Sequence, residues 1–294
     1  MRKSSVYLPD DLKAELADLA RRWGRSEAEL IRDAIERLVR SSTDTAGPAR
    51  QVAALTGPRF IGVGVGPGDP TLITERALDV LRAADTVVAP SSGRESISRA
   101  EAVVRSAAPE LTVERLVIEI GDDEAARRAS LEAGAVEVVE RLDRGEVVAM
   151  AVLGDPGVYS VFSRLRRAVA AHRPAVAVEC VPGIMGFQEL AARTGTVLVE
   201  GDEELSVVAL GASPDAVGPL LAEDHRTVVV YKGGRHLPVV AKLVDEHDRT
   251  DGTVVGELLG LPGGRATPLA EAADRPSSYL ATVVSPARRT EAAG

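Results

Sequence analysis

The sequence predicts an α/β protein: two α/β subdomains with a ligand cleft between them, preceded by a small strand–helix–helix unit. Three observations carry this reading. From residue 59 onward, strand-like apolar runs alternate with stretches of helical periodicity, the pattern of a parallel sheet covered by helices. Glycine-rich turns follow the first, fourth and fifth of those runs, at strand carboxyl ends, where open α/β sheets build their ligand crevice. The stretch Ser41-Ser42-Thr43-Asp44-Thr45-Ala46-Gly47-Pro48 breaks the apolar periodicity and sets a small N-terminal unit apart. The expected divisions are residues 1–41, a linker over 42–57, a first half over 58–194 and a second over 195–289.

The N-terminal unit opens with a short strand in which Val6 and Leu8 share one face and Lys3, Ser5 and Tyr7 the other. Pro9 stops the strand, and Asp10-Asp11 starts a helix with negative charge at its positive end. Leu12, Leu16, Leu19 and Trp23 recur at helical spacing until Gly24. Ser26 and Glu29 then form the S-x-x-E capping box of a second helix, whose apolar face is Leu30, Ile31, Ala34, Ile35 and Leu38.

This unit, over residues 2–40, resembles the ribbon-helix-helix DNA-binding family. The resemblance implies a homodimer, because a lone strand has nothing to pair with and so small a core does not stand alone. It also implies that Lys3, Ser5 and Tyr7 read base edges while the amides near Ser26 hold a phosphate. Dimerisation without DNA binding is the competing reading. Residues 1–45 carry nine Lys/Arg and nine Asp/Glu, so the unit has no net charge to attract DNA.

In the large part, strands are expected at Arg59–Val65, Thr86–Ala89, Thr112–Ile118, Val147–Leu153 and Ala175–Cys180. Helices are expected at Thr71–Ala84, Ser96–Ala108, Asp123–Leu142 and Val158–Ala171. The second half has strands at Leu205–Leu210, Thr227–Tyr231, Val254–Glu257 and Tyr279–Val284, with helices near 213–222 and 236–247. Its last strand has no long helix before it, which points to a mixed sheet.

Composition limits the chemistry. Aromatic residues are only 3%, so the core is built from Ala, Val, Leu and Ile, which favours α/β layers. The single cysteine, Cys180, excludes a disulfide framework and a clustered-cysteine zinc site. The four histidines, His172, His225, His236 and His247, are too scattered for a metal centre, so no metal is expected. The longest apolar run, Val147 to Leu153, is far short of a membrane span. No apolar signal core follows Met1, so a soluble cytoplasmic protein is expected. The whole net charge of −9 lies beyond residue 45, which makes the large part a poor general nucleic-acid binder.

The turn after the first strand, Gly64-Val65-Gly66-Pro67-Gly68-Asp69-Pro70, fails as a dinucleotide fingerprint. Asp69 stands where the third glycine belongs, and Pro67 removes an N–H from the phosphate cradle. Asp69-Pro70 instead suits an N-cap followed by proline at the first helical position. The other turns read Leu153-Gly154-Asp155-Pro156-Gly157-Val158-Tyr159-Ser160 and Val181-Pro182-Gly183-Ile184-Met185-Gly186.

These three turns, in this order, resemble the tetrapyrrole methylase family, the class III S-adenosylmethionine methyltransferases, over about residues 58–289. The stretches Gly201-Asp202-Glu203 and Tyr231-Lys232-x-Gly234-Arg235 are most similar to the branch that methylates C-20 of precorrin-2 or cobalt-factor II in cobalamin biosynthesis. The resemblance implies S-adenosylmethionine as methyl donor, held by Pro67, Leu153, Gly154, Asp155, Val158, Met185, Gly186, Tyr231 and Lys232. An N-cap for the following helix is the competing role for Asp155. For the polycarboxylate tetrapyrrole acceptor, the candidate residues are Asp69, Arg94, Arg99, Lys232, Arg235 and His236, and arginine suits carboxylates through its bidentate fork. Solvated faces are the competing reading for Arg94 and Arg99.

No nucleophile–base pair is expected, because methyl transfer from an activated donor mainly needs the reactants held in line. Met185 is larger than the small hydroxyl residues usual in the family there, which would narrow the donor pocket or change its contacts. The other reading of the whole chain is a DNA-binding regulator whose methylase-like part senses a ligand. Pairing is expected through both parts, and a linker of about 16 flexible residues reaches roughly 20–24 Å, enough to let both engage one partner.

Overall fold

The computed structural model describes residues 9–23, 25–32, 55, 57–119, 123–210, 216–231, 234–274, 277–278 and 280–289. The chain forms two units, Met1–Ala54 and Leu55–Gly294. In the first, a helix spans Asp10–Trp23 and residues 27–32 are helical again. The expected capping box closes in both directions. The Glu29 amide donates to Ser26 Oγ at 3.3 Å, and the Ser26 amide donates to Glu29 Oε2 at 2.9 Å. The Ser26 amide and hydroxyl, both donating to Oε2, hold the Glu29 carboxyl below its usual range. The expected strand, with Lys3, Ser5 and Tyr7, lies outside the described residues, as does most of the expected linker.

The second unit begins with strand β1 (Arg59–Gly64), which leads to β2 (Thr86–Ser91), β3 (Val113–Val117), β4 (Val147–Val152) and β5 (Ala177–Val181). They form one parallel sheet in the order β3-β2-β4-β1-β5. Every residue of β4 is buried, as a central parallel strand covered on both faces requires. On one face, helices Glu124–Asp143 and Phe162–His172 pack Val138, Leu142, Leu165 and Val169 against Phe60, Val148 and Met150. Phe60 and Phe162 meet with ring centroids 5.0 Å apart. Helices Glu75–Ala83 and Arg99–Ala107 bury Val80, Leu81, Val103 and Val104 against the sheet. The chain leaves β1 towards β2 but leaves β4 towards β5, so the two central loops exit in opposite directions. That reversal opens a crevice at the carboxyl ends of β1 and β4.

The second sheet contains β6 (Glu204–Ala209), β7 (Arg226–Tyr231), β8 (Val254–Glu257), β9 (Arg265–Pro268) and β10 (Thr282–Ser285) in the order β6-β7-β10-β8-β9. Only β6 and β7 pair in parallel, so the sheet is mixed as expected. One face is covered by helix Leu237–Glu246 through Leu237, Val240 and Val244. The other receives Phe187 and Leu190 of helix Gly186–Thr194. That helix follows β5 in the chain yet packs on the second sheet, so it joins the halves.

Local chemistry shifted several boundaries. Asp69 caps only a 3₁₀ turn, Pro70–Leu72; Thr74 then caps the helix proper, its hydroxyl accepting from the Ala77 amide at 3.2 Å. The helix expected from Val158 starts at Phe162, because Tyr159 stands at φ 48°, outside helical space. β9 escaped the sequence reading: four residues ending in proline are too short to show a period.

At the crevice the three glycine turns touch backbone to backbone. A Cβ on Gly64 would lie 2.5 Å from the Gly154 carbonyl oxygen and 2.6 Å from the Gly183 nitrogen. Gly64→Ala is therefore expected to lower unfolding stability in urea by about 3 kcal/mol. Gly93→Ala, whose Cβ meets nothing within 4 Å, stays within about 0.5 kcal/mol of the parent.

Candidate active site

A cavity of about 590 Å³ opens at this crevice, between the first sheet's loops and the second sheet. Pro67 comes from the loop after β1; Leu153, Gly154, Asp155 and Val158 from that after β4; Met185 and Gly186 from the start of helix Gly186–Thr194. Tyr231 at the end of β7 closes the wall. Every described residue carried over as a donor contact thus lines one cavity. Lys232 lies outside the described residues.

Asp155 does not cap the following helix, which starts seven residues later without a side-chain cap. Its Oδ1 accepts from the Gly157 amide at 2.7 Å and its Oδ2 from the Gly183 amide at 3.1 Å. The carboxylate therefore ties the second loop to the third and leaves a negative charge in the cavity wall.

Tyr231 performs the capping that Met185 leaves undone. The Phe187 amide donates to its hydroxyl oxygen at 3.2 Å, and the ring stands edge-on to both Phe187 and Tyr159, at 6.3 and 6.2 Å. Burial pushes the phenol up to about 12, so it stays neutral and serves as no base near neutral pH.

Three residues expected at the acceptor are not brought to the wall. Asp69 accepts from the Thr71 amide and hydroxyl, bonds that lower its pKa and turn it into a turn-former. Arg94 is exposed and pairs with Glu137 at 3.7 Å. His236 ends the 3₁₀ turn Gly234–His236 away from the lining, and the Arg235 side chain lies outside the described residues. Arg99 does line the cavity.

Sequence reasoning missed Tyr159, whose hydroxyl donates to the Val207 carbonyl of β6 at 3.0 Å and bridges the two sheets. Its φ of 48° is costly for a non-glycine residue, a signal that only the backbone shows. Also missed were Leu258, Leu259 and Leu261, since a leucine-rich turn reads as ordinary core.

The tetrapyrrole (corrin/porphyrin) methylase family matches residues 59–273. The chain belongs to that family. The ribbon-helix-helix, copG family matches residues 5–41. The methylase is 33% identical over 236 residues to a precorrin-2 C(20)-methyltransferase of Sinorhizobium sp, covering 78% of this chain and 95% of that relative. It is 32% identical to the cobalamin biosynthesis protein CobIJ of Mycobacterium tuberculosis over 245 residues, 79% of this chain but 46% of the relative. The uroporphyrin-III C-methyl transferase of Thermus thermophilus, solved with S-adenosylhomocysteine, shares the fold with a TM-score of 0.53 at 23% identity. That match covers 77% of this chain and 96% of the other.

The methylase takes its methyl group from S-adenosylmethionine. Its cavity fits that donor. Gly154, at φ 71° on the wall, has nothing within 4 Å of where a Cβ would stand, so bare backbone faces the space. When bound, the donor supplies a methyl group on a positively charged sulfur. The chain's part is placement: loops locked by Asp155 and Tyr231 hold a wall that need not reorganise.

Removing the phenol tests this. Tyr231→Phe leaves helix-start amides unpaired and is expected to cost about 1–2 kcal/mol at pH 8. Because the folded phenol titrates at about 12 against an ordinary 10, the unfolded chain loses its proton first. Parent stability therefore falls from about pH 10 through 12, and Tyr231→Phe removes that component of the fall. Urea melts across pH 8–12 check both.

Proposed function

We propose that the chain methylates C-20 of precorrin-2 or of cobalt-factor II in cobalamin biosynthesis. The observation that carries the reading is the convergence of three turn motifs on one cavity in a chain that aligns with 95% of the length of a precorrin-2 C(20)-methyltransferase. Pro67, Leu153, Gly154, Asp155, Val158, Met185, Gly186 and Tyr231 hold the donor, with Asp155 facing its cationic end. The acceptor ring lies over the apolar remainder of the wall. Residues 1–41 act as a ribbon-helix-helix domain, 42–57 as a linker and 58–289 as the methylase, and the protein works as a homodimer.

Calorimetric titration of the full chain with S-adenosylhomocysteine is expected to show one site per chain. Incubation with S-adenosylmethionine and precorrin-2 is expected to add one methyl group by mass. Donor-product binding without methyl transfer would move the acceptor elsewhere in the family; absence of both removes the reading.

A second reading, DNA binding by the first unit, is favoured by the ribbon-helix-helix match over residues 5–41. In it, Lys3, Ser5 and Tyr7 face the major groove. A gel shift with promoter DNA of its own operon at low salt is expected to be lost in the Lys3→Ala/Tyr7→Ala double variant while methylation persists. A parent chain that shifts no DNA leaves dimerisation as the unit's role.

A further inference from the structure

We propose that Arg99 binds a carboxylate of the tetrapyrrole acceptor and thereby sets the register in which the ring lies in the cavity. This rests on the acceptor class proposed above.

Arg99 and Asp155 are the charged side chains among the described residues lining the cavity, and both Asp155 oxygens are taken by backbone amides. The Arg99 guanidinium is half-buried and makes no hydrogen bond or ion pair with any described residue. Nearby carboxylates are engaged elsewhere: buried Glu101 holds Arg115 and Arg105, each at 2.7 Å, and Glu137 holds Arg94. Burial alone acts on Arg99, lowering its pKa, with no carboxylate offsetting it.

Its place in the fold adds a third cost. Arg99 is the first residue of helix Arg99–Ala107, directly after the Ser98 cap, where the helix presents its positive end. A cation that is desolvated, unpaired and opposed to the helix dipole contributes nothing to folding that alanine would not. A side chain that breaks local rules at a cavity wall is one held ready for a ligand. The ligand is an anion, and a guanidinium takes a carboxylate through two parallel bonds.

Two carboxylates are available in principle, the acceptor's peripheral acids and the donor's amino-acid end. The fold favours the acceptor. Arg99 follows β2, which lies beyond β4 from β1 and β5, whereas the first sheet's donor loops follow β1, β4 and β5. Beside Arg99, Pro90 and the 56%-exposed Ile97 also line the cavity. Ser91, Ser92, Ser96 and Ser98 line the same stretch, so apolar contacts at Pro90 and Ile97 stand among polar groups with a cation beside them. That arrangement complements a flat ring with acids on its rim.

The test uses the full chain saturated with S-adenosylhomocysteine and uroporphyrin, a fluorescent octacarboxylate, as probe. Arg99→Ala is expected to weaken uroporphyrin binding about tenfold or more. Arg99→Lys recovers part of that loss, since the charge returns without the fork. Affinity for S-adenosylhomocysteine stays within about twofold, and the melting temperature of Arg99→Ala equals or exceeds the parent's. With precorrin-2, the variant raises KM far more than it lowers kcat. Unchanged uroporphyrin affinity overturns the inference, as does a parent that binds no uroporphyrin. A loss confined to S-adenosylhomocysteine overturns it in favour of the donor's carboxylate. A parent that binds uroporphyrin through Arg99 but never methylates precorrin-2 refutes the proposed acceptor while the carboxylate site stands.

Discussion

Two places where main chain lies directly on main chain set the geometry of this protein. At one, Gly64, Gly154 and Gly183 bring the ends of β1, β4 and β5 so close that a Cβ on Gly183 would stand 2.2 Å from the Gly154 carbonyl oxygen. At the other, Gly260 of the second half lies on the first loop, its Cβ position 2.0 Å from the Asp69 nitrogen. Side chains have no room at either crossing. The cavity exists because the loops around it converge while their side chains are kept out of the way.

The wall that results is held by hydrogen bonds made before any ligand arrives. Asp155 spans two loops and Tyr231 spans the two halves, each accepting from a backbone amide across the gap. Side chains so engaged are held in place, and burial keeps the Tyr231 phenol neutral. Methyl transfer asks for little else from a protein, because the donor arrives activated and what remains is alignment.

The second half is secured in a different way. Arg249 is buried and donates to the carbonyls of Leu221, Arg226 and Pro286, at 3.1, 2.6 and 2.5 Å. One side chain thereby gathers a helix end, the start of β7 and the tail after β10. Helix Gly186–Thr194 then carries the first half's third loop onto this sheet, so the position of Met185 and Gly186 depends on both halves packing.

The sequence by itself determined what local chemistry decides. The alternation of apolar runs gave the parallel first sheet, Ser26 and Glu29 their reciprocal cap, and the three turns the family and the residues that line one cavity. It did not reveal that Asp155 binds loops rather than a helix, because its partner Gly183 is 28 residues away and only folding brings the two together. Nor did it separate Arg94 from Arg99. Both are arginines of one loop-and-helix stretch, but the Ser98 cap starts the helix between them, leaving one exposed against Glu137 and the other on the cavity wall. Periodicity and motif spacing act along the chain, whereas which charge faces the cleft depends on how strands far apart in sequence stack. That was decided by the tertiary structure alone.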